Sequence, residues 1–231
     1  MTPSIQQITD YREHGFVHLP AVIDAARMAE LIAELEVLTR DDDACTDRAW
    51  RGDWRHQYEN SKRFTLSTVN KLALRSALFK QWVMSREILE PIEALAGKSM
   101  QHADSMLIIK PPETGQAFPP HQDAAYYSAD EPDYIIATLH LHPTTTVNGA
   151  LRFLPGSHKG GLIEHYKKGK DKAHLPAIDI ADLVEVPAQP GDVVCSSIYT
   201  VHGSLPNRSN APRALVRIGY RPVGSAPEDS V

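Results

Sequence analysis

Five short apolar runs in the second half of the chain constrain its fold more than any other feature. They are SMLIIK (105–110), YIIATLHLH (134–142), ALRFLPGSH (150–158), DVVCSSIYTVH (192–202) and RALVRIGYR (213–221). Each is rich in β-branched or large apolar residues and stops near Pro, Gly or Asn, as strands do. Few helix signals lie between them. Parallel neighbours need a crossover between strands, usually a helix. The pattern therefore predicts a mainly β fold, an antiparallel sandwich or barrel with helices packed outside it.

The flanking helices are expected from the first half. Asp24 stands as an N-cap before AARMAELIAELEVL, where Met28, Leu31, Ile32, Leu35 and Leu38 recur at helical spacing. A second helical region is expected over about 70–96, with Pro91 either kinking it or opening a new helix. Between the two, residues 44–69 hold Trp50, Trp54 and Tyr58 among Arg48, Arg51, Arg55, Lys62 and Arg63 with no clear period. That segment reads as a long loop, and long ordered loops often carry function. The 231 residues suit one domain, residues 1–231, helical to about 97 and strand-built over about 98–223.

Composition removes several classes of function. Hydrophobic residues make up 42% of the chain, enough to offset chain entropy with a core. The net charge of -5 is opposite to that of a dedicated nucleic-acid binder, so no nucleic-acid partner is expected. Two cysteines, Cys45 and Cys195, make no disulfide framework and fit a reducing compartment. No apolar run reaches the roughly 18 residues of a membrane span. The start, MTPSIQQITDYREHG, lacks a basic and then apolar leader. The expectation is a soluble, cytoplasmic protein with a small-molecule partner and no membrane contact. Eleven histidines are the one oddity, and they point toward metal or acid–base chemistry.

Two of those histidines stand in His-x-Asp. Residues two apart on a strand share a face, so a His and a carboxylate at that spacing can hold one metal ion. The pattern occurs twice, as His102-x-Asp104 and His121-x-Asp123. The first sits just before SMLIIK, where an exposed strand start is explanation enough. The second follows the stiff approach PPETGQAFPP, which suits a metal site at the mouth of a barrel. His202, before Gly203, offers a third ligand. Two His and one carboxylate on one face of an octahedral ion leave three positions open, the facial triad of non-haem Fe(II) oxygenases. Eleven residues beyond His202 comes Arg213. If the strands around them form a hairpin, Arg213 and Ser204 both reach the ground beside the metal, where a planar guanidinium and a hydroxyl suit a dicarboxylate co-substrate.

These residues carry a resemblance. The stretch from Lys110 to Tyr220 resembles the phytanoyl-CoA dioxygenase family of Fe(II)/2-oxoglutarate oxygenases, through K-PP-x-x-G…P-H-Q-D-A-A-Y-Y and N-G-A-L-R-F-L-P-G-S-H-K. The match continues through P-G-D-V-V and H-G-S-x-x-N-x-S…P-R, with a weaker likeness at YREHGFVHLP. The resemblance implies a double-stranded β-helix (jelly-roll, cupin-like) core. It implies His121, Asp123 and His202 as Fe(II) ligands, and Arg213 with Ser204 as anchor for the far carboxylate of 2-oxoglutarate. Thr138 is expected within reach of the co-substrate. Lys110 is a polar neighbour, although a strand-end lysine is usually solvated. The implied reaction uses O2 and releases succinate and CO2 while hydroxylating an aliphatic carbon of a small metabolite or natural-product intermediate. Halogenases of this fold vacate the carboxylate position, and here Asp123 fills it, so an alcohol is the expected product, with desaturation or cyclisation open to the same chemistry. Tyr126, Tyr127, Trp50, Trp54 and Arg55 are candidate substrate contacts. The lysine-rich loop 158–174 is expected to be solvated. Asn148-Gly149 and Pro155-Gly156-Ser157-His158 read as structural turns. The competing reading is a non-oxidative cupin-type isomerase or sensor binding metal through His140 and His142, which lacks the acid that usually follows such a pair.

Overall fold

A computed structural model describes residues 2–40, 68–113, 117–127, 133–166, 174–175 and 177–225. The chain opens with α1 (Ile5–His14), set by a capping box in which Ser4 and Gln7 satisfy each other's backbone N–H. It closes at Gly15 in the left-handed conformation that glycine adopts without strain. After β1 (Phe16–Leu19) comes α2 (Ala25–Arg40), capped as expected by Asp24, whose carboxylate accepts the Arg27 N–H at 2.8 Å.

The second helical region is more broken than its sequence pattern predicts. It starts with a strand, β2 (Thr68–Asn70), and splits into α3 (Leu72–Arg75), α4 (Ala77–Trp82) and α5 (Arg86–Ala96). Pro91 does not open a helix. It lies inside α5, where it is buried against the core.

The remaining strands are β3 (Met100–Lys110), β4 (Phe118–His121), β5 (Ile135–His140), β6 (Leu151–Phe153), β7 (Val184–Val186), β8 (Val193–Ser197), β9 (His202–Ser204) and β10 (Arg213–Pro222). They form two antiparallel sheets, a large one ordered β1-β8-β5-β10-β3-β2 and a small one ordered β4-β9-β6-β7. This is the expected mainly β jelly roll with helices outside. The N-terminal part also supplies two of its strands, β1 and β2, which take the outer places of the large sheet.

Period-two alternation divides the large sheet's side chains. One face carries Leu107, Leu139, Val193, Val216 and Ile218, which join Leu31, Phe79, Ile88 and Ile92 of the helices in one apolar core. The other face looks toward the small sheet and carries Asp104, Thr138, Arg213, Leu215 and Arg217 among the lining of a cavity of about 790 Å³. Here polar residues sit where an ordinary core would be apolar.

The run DVVCSSIYTVH is not one strand. It leaves the large sheet after Ser197, turns through Ile198–Thr200, and enters the small sheet at His202. The α1 cap holds this turn, since Gly15 O accepts both the Ser197 N–H at 2.8 Å and the Thr200 hydroxyl at 2.7 Å. Consequently β9 and β10 do not form a hairpin, and Arg213 and Ser204 belong to opposite sheets. Among the described residues no helix is long and apolar enough to cross a membrane.

Candidate active site

His121 ends β4, an edge strand in which Pro119 and Pro120 remove two backbone donors that a central strand would need. Strand period does not bring Asp123 beside it, as expected from the sequence. The chain turns after His121 and Asp123 opens a 3-10 turn (Asp123–Tyr126). Gln122 pins this turn. Its side chain donates to Gly161 O at 2.8 Å and Tyr199 O at 2.6 Å and accepts the Ile163 N–H at 2.8 Å. Neighbouring β9 brings in His202, whose Cα partner is His121.

The three side chains converge. One ligand atom from each of His121, Asp123 and His202 lies within 4.8 Å of the others. Asp123 Oδ1 is 3.7 Å from His121 Nε2 and 3.8 Å from His202 Nε2. Both Nδ1 atoms are engaged, at 2.8 Å from Pro119 O and 3.0 Å from Thr200 O. A carbonyl only accepts, so each Nδ1 carries the proton and each Nε2 presents its lone pair to the common point. Burial, reinforced by His121, pushes His202 down to about 4, which keeps it neutral. Burial alone would raise the Asp123 carboxyl, but the Arg217 guanidinium outweighs it and holds it well below the usual range. Two imidazoles and one carboxylate match the donor set of a facial Fe(II) site.

Arg213 opens β10 and is 1% exposed. Its Nε and Nη2 donate to Gly149 O, at 3.3 and 2.6 Å. That carbonyl is aimed by the Asn148-Gly149 turn, in which Asn148 accepts the Thr145 N–H and donates to Pro143 O, both at 2.8 Å. Gly149 is required there, since its φ is 81° and a Cβ would stand 2.3 Å from Leu205 O. Among the described residues Arg213 makes no ion pair with a carboxylate. Burial pushes its pKa down to about 9. Ser204 lines the same cavity, and its buried hydroxyl has no hydrogen-bond partner among the described residues. Lys110 is opposite Arg213 in the β3–β10 register and bonds Leu205 O. It is fully buried rather than solvated.

Other expectations divide. Thr138, Tyr126 and Tyr127 line the cavity. Trp50, Trp54 and Arg55 lie outside the described residues, as does the stretch 167–173 of the basic loop. Among the described residues His140 and His142 belong to no group of three or more side chains placed to hold a metal. His140 Nδ1 is 3.1 Å from the Thr144 hydroxyl, and His142 Nδ1 accepts the Ala214 N–H. Burial and the Arg213 charge drive His140 down to about 3, so it stays neutral. His102-x-Asp104 is no exposed strand start. It lies within β3, and Asp104 pairs with Arg217 from inside the barrel. Arg217 was not singled out by motif, although it shares a β-face with Arg213 four residues earlier. Gln122 likewise carries no signal in the sequence beyond its position inside the motif.

Antiparallel jelly-roll sheets around such a donor set define the class of the non-haem iron dioxygenases. Residues 11–215 match the family model described as phytanoyl-CoA dioxygenase (PhyH), and the chain belongs to that family of iron- and 2-oxoglutarate-dependent oxygenases. Its relatives include the probable α-ketoglutarate-dependent hypophosphite dioxygenase of Stutzerimonas stutzeri, 23% identical over 96% of this chain and 80% of that protein. The methylphosphonate hydroxylase of Gimesia maris is 26% identical over 93% of this chain and 79% of that one. Among solved structures, EctD from S. alaskensis, determined with 2-oxoglutarate and 5-hydroxyectoine, superposes with a TM-score of 0.77. It is 20% identical and aligns over 98% of this chain and 78% of its own.

Proposed function

We propose that this chain hydroxylates an aliphatic carbon of a small metabolite or natural-product intermediate, with His121, Asp123 and His202 holding Fe(II). Arg213 and Ser204 take the far carboxylate of 2-oxoglutarate, with Thr138 on the neighbouring strand. The observation that carries this reading is the buried Arg213 guanidinium, which faces the same cavity as the His-Asp-His cluster and has no carboxylate partner among the described residues. A buried cation without a counter-ion is costly. A dianionic co-substrate supplies the missing anion, and the unpartnered Ser204 hydroxyl adds a donor to it.

Bound Fe(II) supplies O2 activation coupled to decarboxylation of 2-oxoglutarate to succinate and CO2. The side chains do the rest. The Pro119 and Thr200 carbonyls hold both imidazoles in one tautomer. Asp123 occupies the position that a halogenase leaves open, which favours hydroxyl as the group delivered. The helix-backed sheet and the small sheet shield the reacting atoms from water. A cavity of about 790 Å³ suits a compact substrate. Lys71 and Lys80, both exposed on its wall, favour one that carries negative charge.

The test is succinate release from 2-oxoglutarate with Fe(II) across a panel of small anionic and neutral metabolites, read with product mass. A gain of one oxygen supports the proposal. No succinate above background with any of them, or unchanged activity in His121→Ala and Asp123→Ala, overturns it.

A further inference from the structure

Arg217 stands at the centre of a densely bonded polar group inside the barrel. Its Nε donates to Asp123 Oδ2 at 3.0 Å. Its Nη1 reaches both oxygens of Asp104, at 3.0 and 3.1 Å, and its Nη2 donates to the Tyr127 hydroxyl at 2.6 Å. That hydroxyl in turn donates to Asp104 Oδ2 at 2.7 Å. Register explains the seat. Arg217 is opposite Met106, and Asp104 is two residues along β3, the diagonal neighbour on the same face. Gly219 clears the ground for it, since a Cβ there would stand 2.1 Å from Tyr134 Oη and 2.4 Å from Asp104 Oδ1.

The two oxygens of Asp123 therefore have different surroundings. Oδ1 faces both imidazole Nε2 atoms, while Oδ2 is taken by Arg217. This matters for a facial metal site. Three protein donors leave three of six positions open, enough for a chelating keto acid and O2. A carboxylate free to bind through both oxygens would close one of them. Resting on the metal-site reading above, we propose that Arg217 is a positioning residue that withholds Asp123 Oδ2 from the metal and fixes Asp123 as a one-oxygen ligand. Asp104 and Tyr127 hold the guanidinium in place. All three of its nitrogens are already engaged by protein, so it is poorly placed to act as an anchor for an anionic substrate.

The test uses the full chain, freed of metal and titrated with Co(II), whose visible absorption reports coordination. Three variants are compared with the native protein. Arg217→Lys keeps the charge but loses the fork. Arg217→Met/Asp104→Asn removes the guanidinium together with the Asp104 charge, so that Asp123 is the one carboxylate of the group left without its cation. Tyr127→Phe removes one neutral hydrogen bond. The first two are expected to weaken Co(II) binding by about 10- to 100-fold and Tyr127→Phe by about threefold. In the first two variants the native change of spectrum on adding 2-oxoglutarate is also expected to shrink, because the freed Oδ2 competes for a position. A merely structural role would lower the melting temperature and leave Co(II) affinity and spectrum native, and that result overturns the proposal. So does a rise in KM for a panel metabolite that supports succinate release in the native chain, with Co(II) binding unchanged, which would make Arg217 a substrate contact. If the native chain takes up no Co(II), or His121→Ala takes up as much, the metal-site reading itself fails.

Discussion

Replacing Arg213 by Met separates two jobs that a buried arginine can do. Among the described residues, the guanidinium's hydrogen bonds go to the Gly149 carbonyl alone. Deleting it leaves that carbonyl without a donor, a cost of about 1–3 kcal/mol. It also removes an unpaired buried charge, and exchanging buried ionic groups for apolar ones of similar volume is often neutral or favourable by about 1–4 kcal/mol. The two effects oppose each other, so the net change in stability is expected to stay within about 2 kcal/mol. At about 2–4 °C per kcal/mol for a chain of this size, the melting temperature should move by less than about 8 °C. Co-substrate binding has no such compensation. A guanidinium–carboxylate pair makes two charge-assisted hydrogen bonds, each worth about 1.5–3 kcal/mol. Their loss raises KM for 2-oxoglutarate by about a hundredfold to ten-thousandfold. A melt without co-substrate and succinate release against 2-oxoglutarate concentration measure the two quantities. A fall in melting temperature beyond about 10 °C with an unchanged KM would refute the reasoning and make Arg213 a structural residue.

Three further outcomes are expected. His202→Ala should abolish metal uptake, so added Fe(II) or Co(II) no longer raises the melting temperature, whereas the native chain gains about 2.7 kcal/mol at a hundredfold excess over Kd; thermal melts with a metal series check this. Gly203→Val places a Cβ 2.7 Å from the Phe118 carbonyl and 2.9 Å from Ile180 Cδ1, prising β4 from β9 at a cost of about 1–3 kcal/mol and loosening metal binding with it; calorimetric titration reads the second effect. The Asp192 carboxyl is raised by burial, but the Ala21 and Gln189 N–H groups and His18 lower it more, leaving it below its ordinary value. Because the folded value is the lower one, its contribution is present above the unfolded value of about 3.9 and disappears as pH falls through the folded value. The native chain should therefore exceed Asp192→Asn in melting temperature at neutral pH, with the gap closing in acid; a gap that widens on acidification would contradict the sign.

Some elements were legible in the chain because their cause is local. RALVRIGYR became β10 nearly residue for residue, since alternation and flanking turn residues are enough to specify a strand. Asp24 caps α2 as its type and place predict. DVVCSSIYTVH misled because no local breaker marks Ile198–Thr200; a distant carbonyl, Gly15 O, holds the turn. Lys110 looked solvated because burial of a lysine depends on what distant parts of the chain present to it, here Arg213 on the adjacent strand and the Leu205 carbonyl.

His121, Asp123, His202 and Arg213 were all named from spacing and resemblance, and the folded chain gathers them into one cavity. A turn pinned by Gln122, and not a shared strand face, joins His121 and Asp123. The amino-acid order alone settled which residue types could bind metal and a dicarboxylate, since donor atoms and charge are properties of single side chains. Tertiary structure alone decided that Arg217, held by Asp104 and Tyr127, takes one oxygen of Asp123. Those contacts join residues up to 113 positions apart, and only the register of β10 against β3 brings such positions together.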